Sequence, residues 1–127
     1  MPLCRDMGIA STPYSPLAAG RLARDWSQTT QRLETDQIAK LKYDATAPVD
    51  RAIVYRLAEV SIKRGIPRAQ IALAWLLHRA PVVAPVIGAT KAAHIEDAVA
   101  SVGVKLSAEE IAYLDAPYVP HAIVGHK

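Results

Sequence analysis

The sequence predicts an α/β protein whose parallel strands are joined by long helical crossovers. Three observations predict it. Two short apolar runs, residues 8–13 (GIASTP) and 82–87 (VVAPVI), stand far apart in the chain. Segments of helical period fill the space between them, and further helical segments follow the second run. The second run is apolar on both alternating faces, as a buried parallel strand requires.

In chain order the elements are strand, long loop, helix, helix, strand, helix, helix. After residues 8–13 comes a turn at Tyr14-Ser15-Pro16, and residues 17–26 (LAAGRLARDW) predict a brief helix. Residues 27–48 are polar and mixed and read as a long loop with one helical turn; loops of this length in compact domains are usually functional or disordered. Val49 to Arg64 has Ile53, Leu57 and Val60 on one helical stripe, with Val54 and Ser61 beside it, and Gly65 is a natural C-terminal stop. Pro67 suits the first position of the next helix. There Ile71, Leu73, Ala74, Trp75 and Leu77 leave little polar face, so both sides are expected to be covered. Pro85 lacks an N–H, which points to an irregular or edge position in the second strand. Residues 91–102 form a helix, and Ser107 with Glu110 forms a capping box opening another through Leu114. The ending, APYVPHAIVGHK, is an irregular tail. Two strands alone would each present an unpaired edge, so the chain reads as part of a larger fold.

Composition narrows the function. The chain has 127 residues, 51% apolar and 21% charged, which describes one globular domain rather than a disordered segment. The net charge of +3 is scattered. Arg21, Arg24, Arg32, Lys40 and Lys42 are the densest basic stretch, but acids and apolar residues interrupt it. Phe is absent, so the clustered basic and aromatic pattern of a nucleic-acid surface is missing. The single cysteine, Cys4, excludes an internal disulfide and suits a reducing compartment. There is no secretory signal and no apolar run near the roughly 20 residues of a membrane span, which makes the cytoplasm the expected location.

Two stretches carry chemistry. In TPYSPLAAGRL, Tyr14 offers a flat face for an aromatic ring, and Ala18, Ala19 and Gly20 let the backbone approach a ligand. In Gly88-Ala89-Thr90-Lys91, an apolar run ends where a helix begins. The free N–H groups there suit an anion, Thr90 can cap the helix or donate to phosphate, and Lys91 supplies a mobile charge. An ordinary capped strand-to-helix turn is the alternative. Parallel barrels bind phosphate in the loops after their last two strands, so these stretches would share one rim if the two runs are those strands. His94 lies three residues from both Lys91 and Asp97, on one helical face. No metal-ligand spacing or catalytic Ser-His or Cys-His arrangement is legible. His78, His121 and His126 are isolated.

TPYSPLAAGRL and VIGATKAAHIEDA, with AQIALAWLL between them and PYVPHAIVGHK at the end, resemble the C-terminal half of an aldo-keto reductase. The chain is similar to a bacterial branch of that family along nearly its whole length. The resemblance implies a partial (β/α)8 TIM barrel, with residues 1–127 as one partial domain holding the seventh and eighth strands, their helices and the tail. It also implies NADP(H) as cofactor. Tyr14 would stack on the nicotinamide, and Ser15, Pro16, Leu17, Ala18 and Ala19 would line the pyrophosphate and ribose. Arg24 or a neighbour, and Arg32, would reach in from the long loop. Gly88, Thr90 and Lys91 would sit at the adenosine 2′-phosphate, with His94 and Asp97 along the adenosine. Ala98 stands where the family often has an asparagine, so a polar contact to the adenine is lost; Gly88 and His94 stand where many members have a basic residue, which weakens the implied preference for NADPH over NADH. The family's catalytic Asp, Tyr, Lys and His belong to strands this chain does not contain. The expectation is a chain that binds cofactor but is inactive alone. The alternative is a non-catalytic subunit that oligomerises or completes a barrel with a separate N-terminal half.

Overall fold

The structure is a computed structural model that describes residues 2–27 and 35–120. Among them the helices are α1 (Pro2–Asp6), α2 (Gln37–Tyr43), α3 (Ala47–Arg64), α4 (Arg68–Leu77), α5 (Ala92–Gly103) and α6 (Ala108–Asp115), with a 3-10 turn at Ala18–Gly20. Arg32, His121 and His126 lie outside the described residues.

Helix α3 ends as its sequence demands. Gly65 takes a left-handed φ of 65°, its N–H reaches Ile62 O, and Ile66 N–H reaches back to Ser61 O. That closes the helix with a residue free of the Cβ penalty. Pro67 stands just outside α4 as its N-cap, and the helix begins one residue later than expected. The box at α6 is complete: Glu110 N–H donates to Ser107 Oγ, and Ser107 N–H to the Glu110 carboxylate.

Helix α4 is the centre of the core. Ile71 is 0% exposed, and Leu57 and Val60 from α3 pack around it with Leu106 and Leu114. Its other side rests on α5, so both faces are covered, as the sequence predicts.

The two expected strands are shorter than their sequence suggests. They pair in parallel at two isolated bridges, Ser11 with Val82 and Tyr14 with Val86, and no extended strand forms among the described residues. Ser11 N–H donates to Pro81 O, Val83 N–H to Ser11 O and Val86 N–H to Pro13 O. The rung between is lost because Pro13 and Pro85 have no N–H to give. The bridges are three residues apart on the first run and four on the second, so the second carries one extra residue, a bulge at the proline.

Three further expectations change. The brief helix over 17–26 is reduced to the 3-10 turn, because Ala18 (φ 48°) and Ala19 (φ 55°) leave right-handed space. The long loop carries α2, two turns rather than one, capped by Asp36 accepting from Ala39 N–H at 2.9 Å. Helix α1 was not anticipated; five residues are too few to show a period.

Candidate functional site

Because both bridges are parallel, the two runs exit at the same end of the molecule. Tyr14 pairs with Val86, so the loop that starts at Ser15 and the loop that starts at Ile87 leave the pairing side by side. The two motifs therefore share one rim.

The first loop is conformationally unusual. Ser15 (φ 53°), Ala18 and Ala19 are all left-handed without being glycine. Such residues are uncommon, each costs about 1 kcal/mol or more, and they concentrate at functional sites. The N–H groups of Ala18 and Gly20 are engaged by Ser15 O and Leu17 O, so neither serves an anion, and side chains matter the more as donors here. Arg24 is placed for this: its guanidinium donates to Ala19 O at 3.2 Å and lies 3.4 Å from where a Gly20 Cβ would stand.

Tyr14 is 69% exposed, its ring available to a partner. Lys42 of α2 donates to its hydroxyl at 2.6 Å, and the ammonium lies 4.8 Å from the ring centroid. That hydrogen bond holds the Lys42 pKa above its usual value. Sequence reasoning missed this contact, since nothing in the spacing of residues 14 and 42 signals it.

In the second loop the cap falls to Lys91, extended at φ −141°, with no side-chain cap bond. Thr90 does not cap; its N–H faces His94 Nδ1 at 3.4 Å. This leaves the first amides of α5 without a side-chain partner and exposes Gly88, Thr90, Lys91 and His94 together at its N-terminus. Asp97 is committed elsewhere: Gln70 Nε2 donates to it at 2.8 Å and ties α5 to α4. Pro16 and Leu17 are half-buried, so they line the loop from below.

Two arginine clusters flank a cavity behind the first loop. Arg21 pairs with Asp44 and lies 5.6 Å from the ring centroids of both Trp26 and Tyr43. Arg79 pairs with Asp115 and stacks 4.4 Å from the Trp75 centroid, while Trp75 Nε1 donates to Asp115 at 2.8 Å. Burial pushes the Asp115 carboxyl up, but the bonds from Arg79 and Trp75 outweigh it and hold the pKa below its ordinary value. His78 Nδ1 sits on Ala74 O at 2.7 Å, a structural contact at the end of α4.

Parallel pairing with two loops leaving on one rim is the arrangement by which (β/α)8 barrels place the loops after their last two strands. Residues 1–118 match the Aldo/keto reductase family, and the chain belongs to that family. It is 46% identical to versiconal hemiacetal acetate reductase of Aspergillus parasiticus over 97% of this chain and 36% of that protein. It is 42% identical to an aldo-keto reductase of Metarhizium robertsii over 97% of this chain and 33% of that one. Among solved structures it is similar to a thermostable aldo-keto reductase in complex with epalrestat, with a TM-score of 0.58 and 25% identity over 92% of this chain and 32% of that one. The chain therefore spans about a third of the length of these relatives. The resemblance suggested a bacterial branch; the two curated relatives just named are fungal. No helix among the described residues is long and apolar enough to cross a membrane.

Proposed function

We propose that this chain is the cofactor-binding part of an NADPH-dependent aldo-keto reductase, holding the last two strands of a (β/α)8 barrel. The observation that carries this is the parallel pairing of Ser11 with Val82 and Tyr14 with Val86, which sets both loops on one rim. The residues fit a dinucleotide. The exposed ring of Tyr14 suits the nicotinamide. The left-handed turn with Arg24 against it suits the pyrophosphate, through Ser15 and the guanidinium. Gly88, Thr90 and Lys91, before the uncapped start of α5, suit a 2′-phosphate with His94 beside it. Asp97 contributes by fixing α5 to α4, which holds that N-terminus in place.

NADPH, when bound, supplies the hydride for carbonyl reduction. The groups of this chain hold and orient it, and none is assigned as the proton donor; that chemistry needs a tyrosine acid with a lysine beside it. The chain by itself is expected to show no turnover. Purified chain with NADPH and a panel of aldehydes, followed at the nicotinamide absorbance, tests this, and turnover above a blank sinks it. Calorimetric titration with NADPH and with adenosine 2′,5′-bisphosphate tests binding. Lys91→Ala and Thr90→Ala should each weaken both, Lys91→Ala by about 1.5–3 kcal/mol. Unchanged affinities would count against the rim assignment.

A second reading is an assembling subunit, favoured by one observation. Ile95, Val99 and Val102 form an exposed stripe on α5, and Ile9, Val83 and Val86 are exposed along the open strand pairing. Light scattering decides it: a stable monomer across concentrations speaks against assembly with itself.

A further inference from the structure

Lys42 places a full positive charge at the hydroxyl end of Tyr14. Its ammonium is 2.6 Å from the Tyr14 hydroxyl but 4.8 Å from the ring centroid. A group that much nearer the oxygen than the ring centre lies off the edge of the ring and covers neither face. Both partners are held in place. Tyr14 is fixed at the bridge to Val86, whose N–H donates to Pro13 O at 2.8 Å. Lys42 is carried by α2, which is capped by Asp36 and tied to the first loop by the pair between Asp44 and Arg21.

The charge is not answered by a neighbour. Among the described residues no carboxylate forms an ion pair with Lys42. Asp44, two positions on, is taken by Arg21, and Asp50 accepts from Thr46 Oγ1 at 2.6 Å. Asp36 caps α2 and attracts Lys42 only from a distance. The hydrogen bond to Tyr14 raises the Lys42 pKa, so the ammonium stays charged at neutral pH.

A nicotinamide stacked on Tyr14 would meet this charge. Offset aromatic stacks set ring centroids about 4.5–7 Å apart. A ring so placed lies within roughly a Debye length of the ammonium at about 0.1 M salt. The oxidised and reduced cofactors carry the same phosphates and differ at that ring alone: the pyridinium of NADP+ is positive, and the dihydronicotinamide of NADPH is neutral. Attraction of Lys42 for the phosphates is therefore common to both and cancels in the ratio of their affinities. Repulsion of the pyridinium remains. The hydrogen bond also draws electron density from the phenol, which weakens the negative ring face that would otherwise attract a cation.

We propose that Lys42 is a specificity-determining residue that makes the rim prefer the reduced cofactor, by holding a positive charge against the Tyr14 ring on which the nicotinamide stacks. This rests on the cofactor reading above, since it needs the nicotinamide on Tyr14. A residue that merely braced α2 would weaken both cofactors by one factor; a charge acting on the ring changes their ratio.

The test is calorimetric titration of the whole chain with NADPH, NADP+ and adenosine 2′,5′-bisphosphate, the last lacking the nicotinamide. Lys42→Met should lower the preference for NADPH over NADP+ by about three- to tenfold, the size of one exposed charge pair near 7 Å. Lys42→Glu should lower it further, Lys42→Arg should keep it, and the affinity for the bisphosphate should stay level throughout. Lys63→Met, at the opposite end of α3 from α2, removes the same net charge and should leave the ratio as it was. Where Lys42→Met fails to fold, Tyr14→Phe serves instead: it keeps the ring, releases the lysine and should move the ratio in the same direction by at least about twofold. Binding of both cofactors with a ratio unmoved by these changes would overturn the role of Lys42 and leave the cofactor reading standing. An equal fall in Lys63→Met would overturn it in favour of net charge. Failure of the unsubstituted chain to bind either cofactor would overturn both readings together.

Discussion

Single residues set backbone geometry here more than they set contacts. Gly65 sits at φ 65° with open space around its Cβ direction, so a side chain there meets no neighbour and only the backbone resists. Gly65→Ala should therefore destabilise by about 1 kcal/mol in thermal melts, through left-handed strain alone. Ala19 is the converse case. Its φ of 55° is held by the turn from Leu17 to Gly20, and Ala19→Gly should stabilise by up to about 1 kcal/mol while loosening the loop. If the strain serves ligand binding, the same variant loses affinity for NADPH as it gains melting temperature. A gain in both would show that the strain has no bearing on the ligand.

At the scale of elements, α6 is fastened to α3 at both ends, by Arg56 and Glu59 on Tyr113 and by Arg64 on Glu110. Arg64 Nε donates to Glu110 at 2.6 Å, and Ser107 N–H donates to the same side chain, which also closes the capping box. The bond from Arg64 holds the Glu110 pKa down at about 2, against an ordinary value of 4.5. A carboxyl lowered on folding stabilises fully above its unfolded value, and loses that contribution as pH falls through the folded one. Glu110→Gln should thus be less stable than the native chain by about 1–2 kcal/mol near pH 6. In urea titrations that gap should close between pH 4.5 and 2. A gap independent of pH would mean that shape, not charge, joins the two helices. This pair was half legible: Ser107 and Glu110 announce the cap by spacing, whereas Arg64, 46 residues away, has no such signal.

For the whole molecule, stability depends on the α3–α4 core rather than on the strand pairing. Ile71 is fully enclosed, and Ile71→Ala should cost about 2–5 kcal/mol, a large part of the 5–15 kcal/mol typical of a domain. Among the described residues the strand pairing has three backbone hydrogen bonds and exposed apolar residues along it. Hydrogen exchange should therefore find Ser11, Val83 and Val86 amides opening before those of Ile71 to Ala74; equal protection would contradict this ranking.

Chain order alone determined the helices α3 to α6 and the stops and box that bound α3 and α6, because period, glycine stops and capping pairs are local properties of neighbouring residues. Gly65, Pro67 and the Ser107–Glu110 box all fall within a residue of where their chemistry places them. The strands over 8–13 and 82–87 were overestimated, since an apolar run states the wish to be buried but not how many partners are present to pair with it. Only the fold decided that Lys42 lies on Tyr14, that Asp97 serves Gln70, and that two clamped arginines face one cavity. Each of those contacts joins residues more than 25 positions apart, and at that separation no local period or spacing couples their positions; only the packing of elements distant in the chain does.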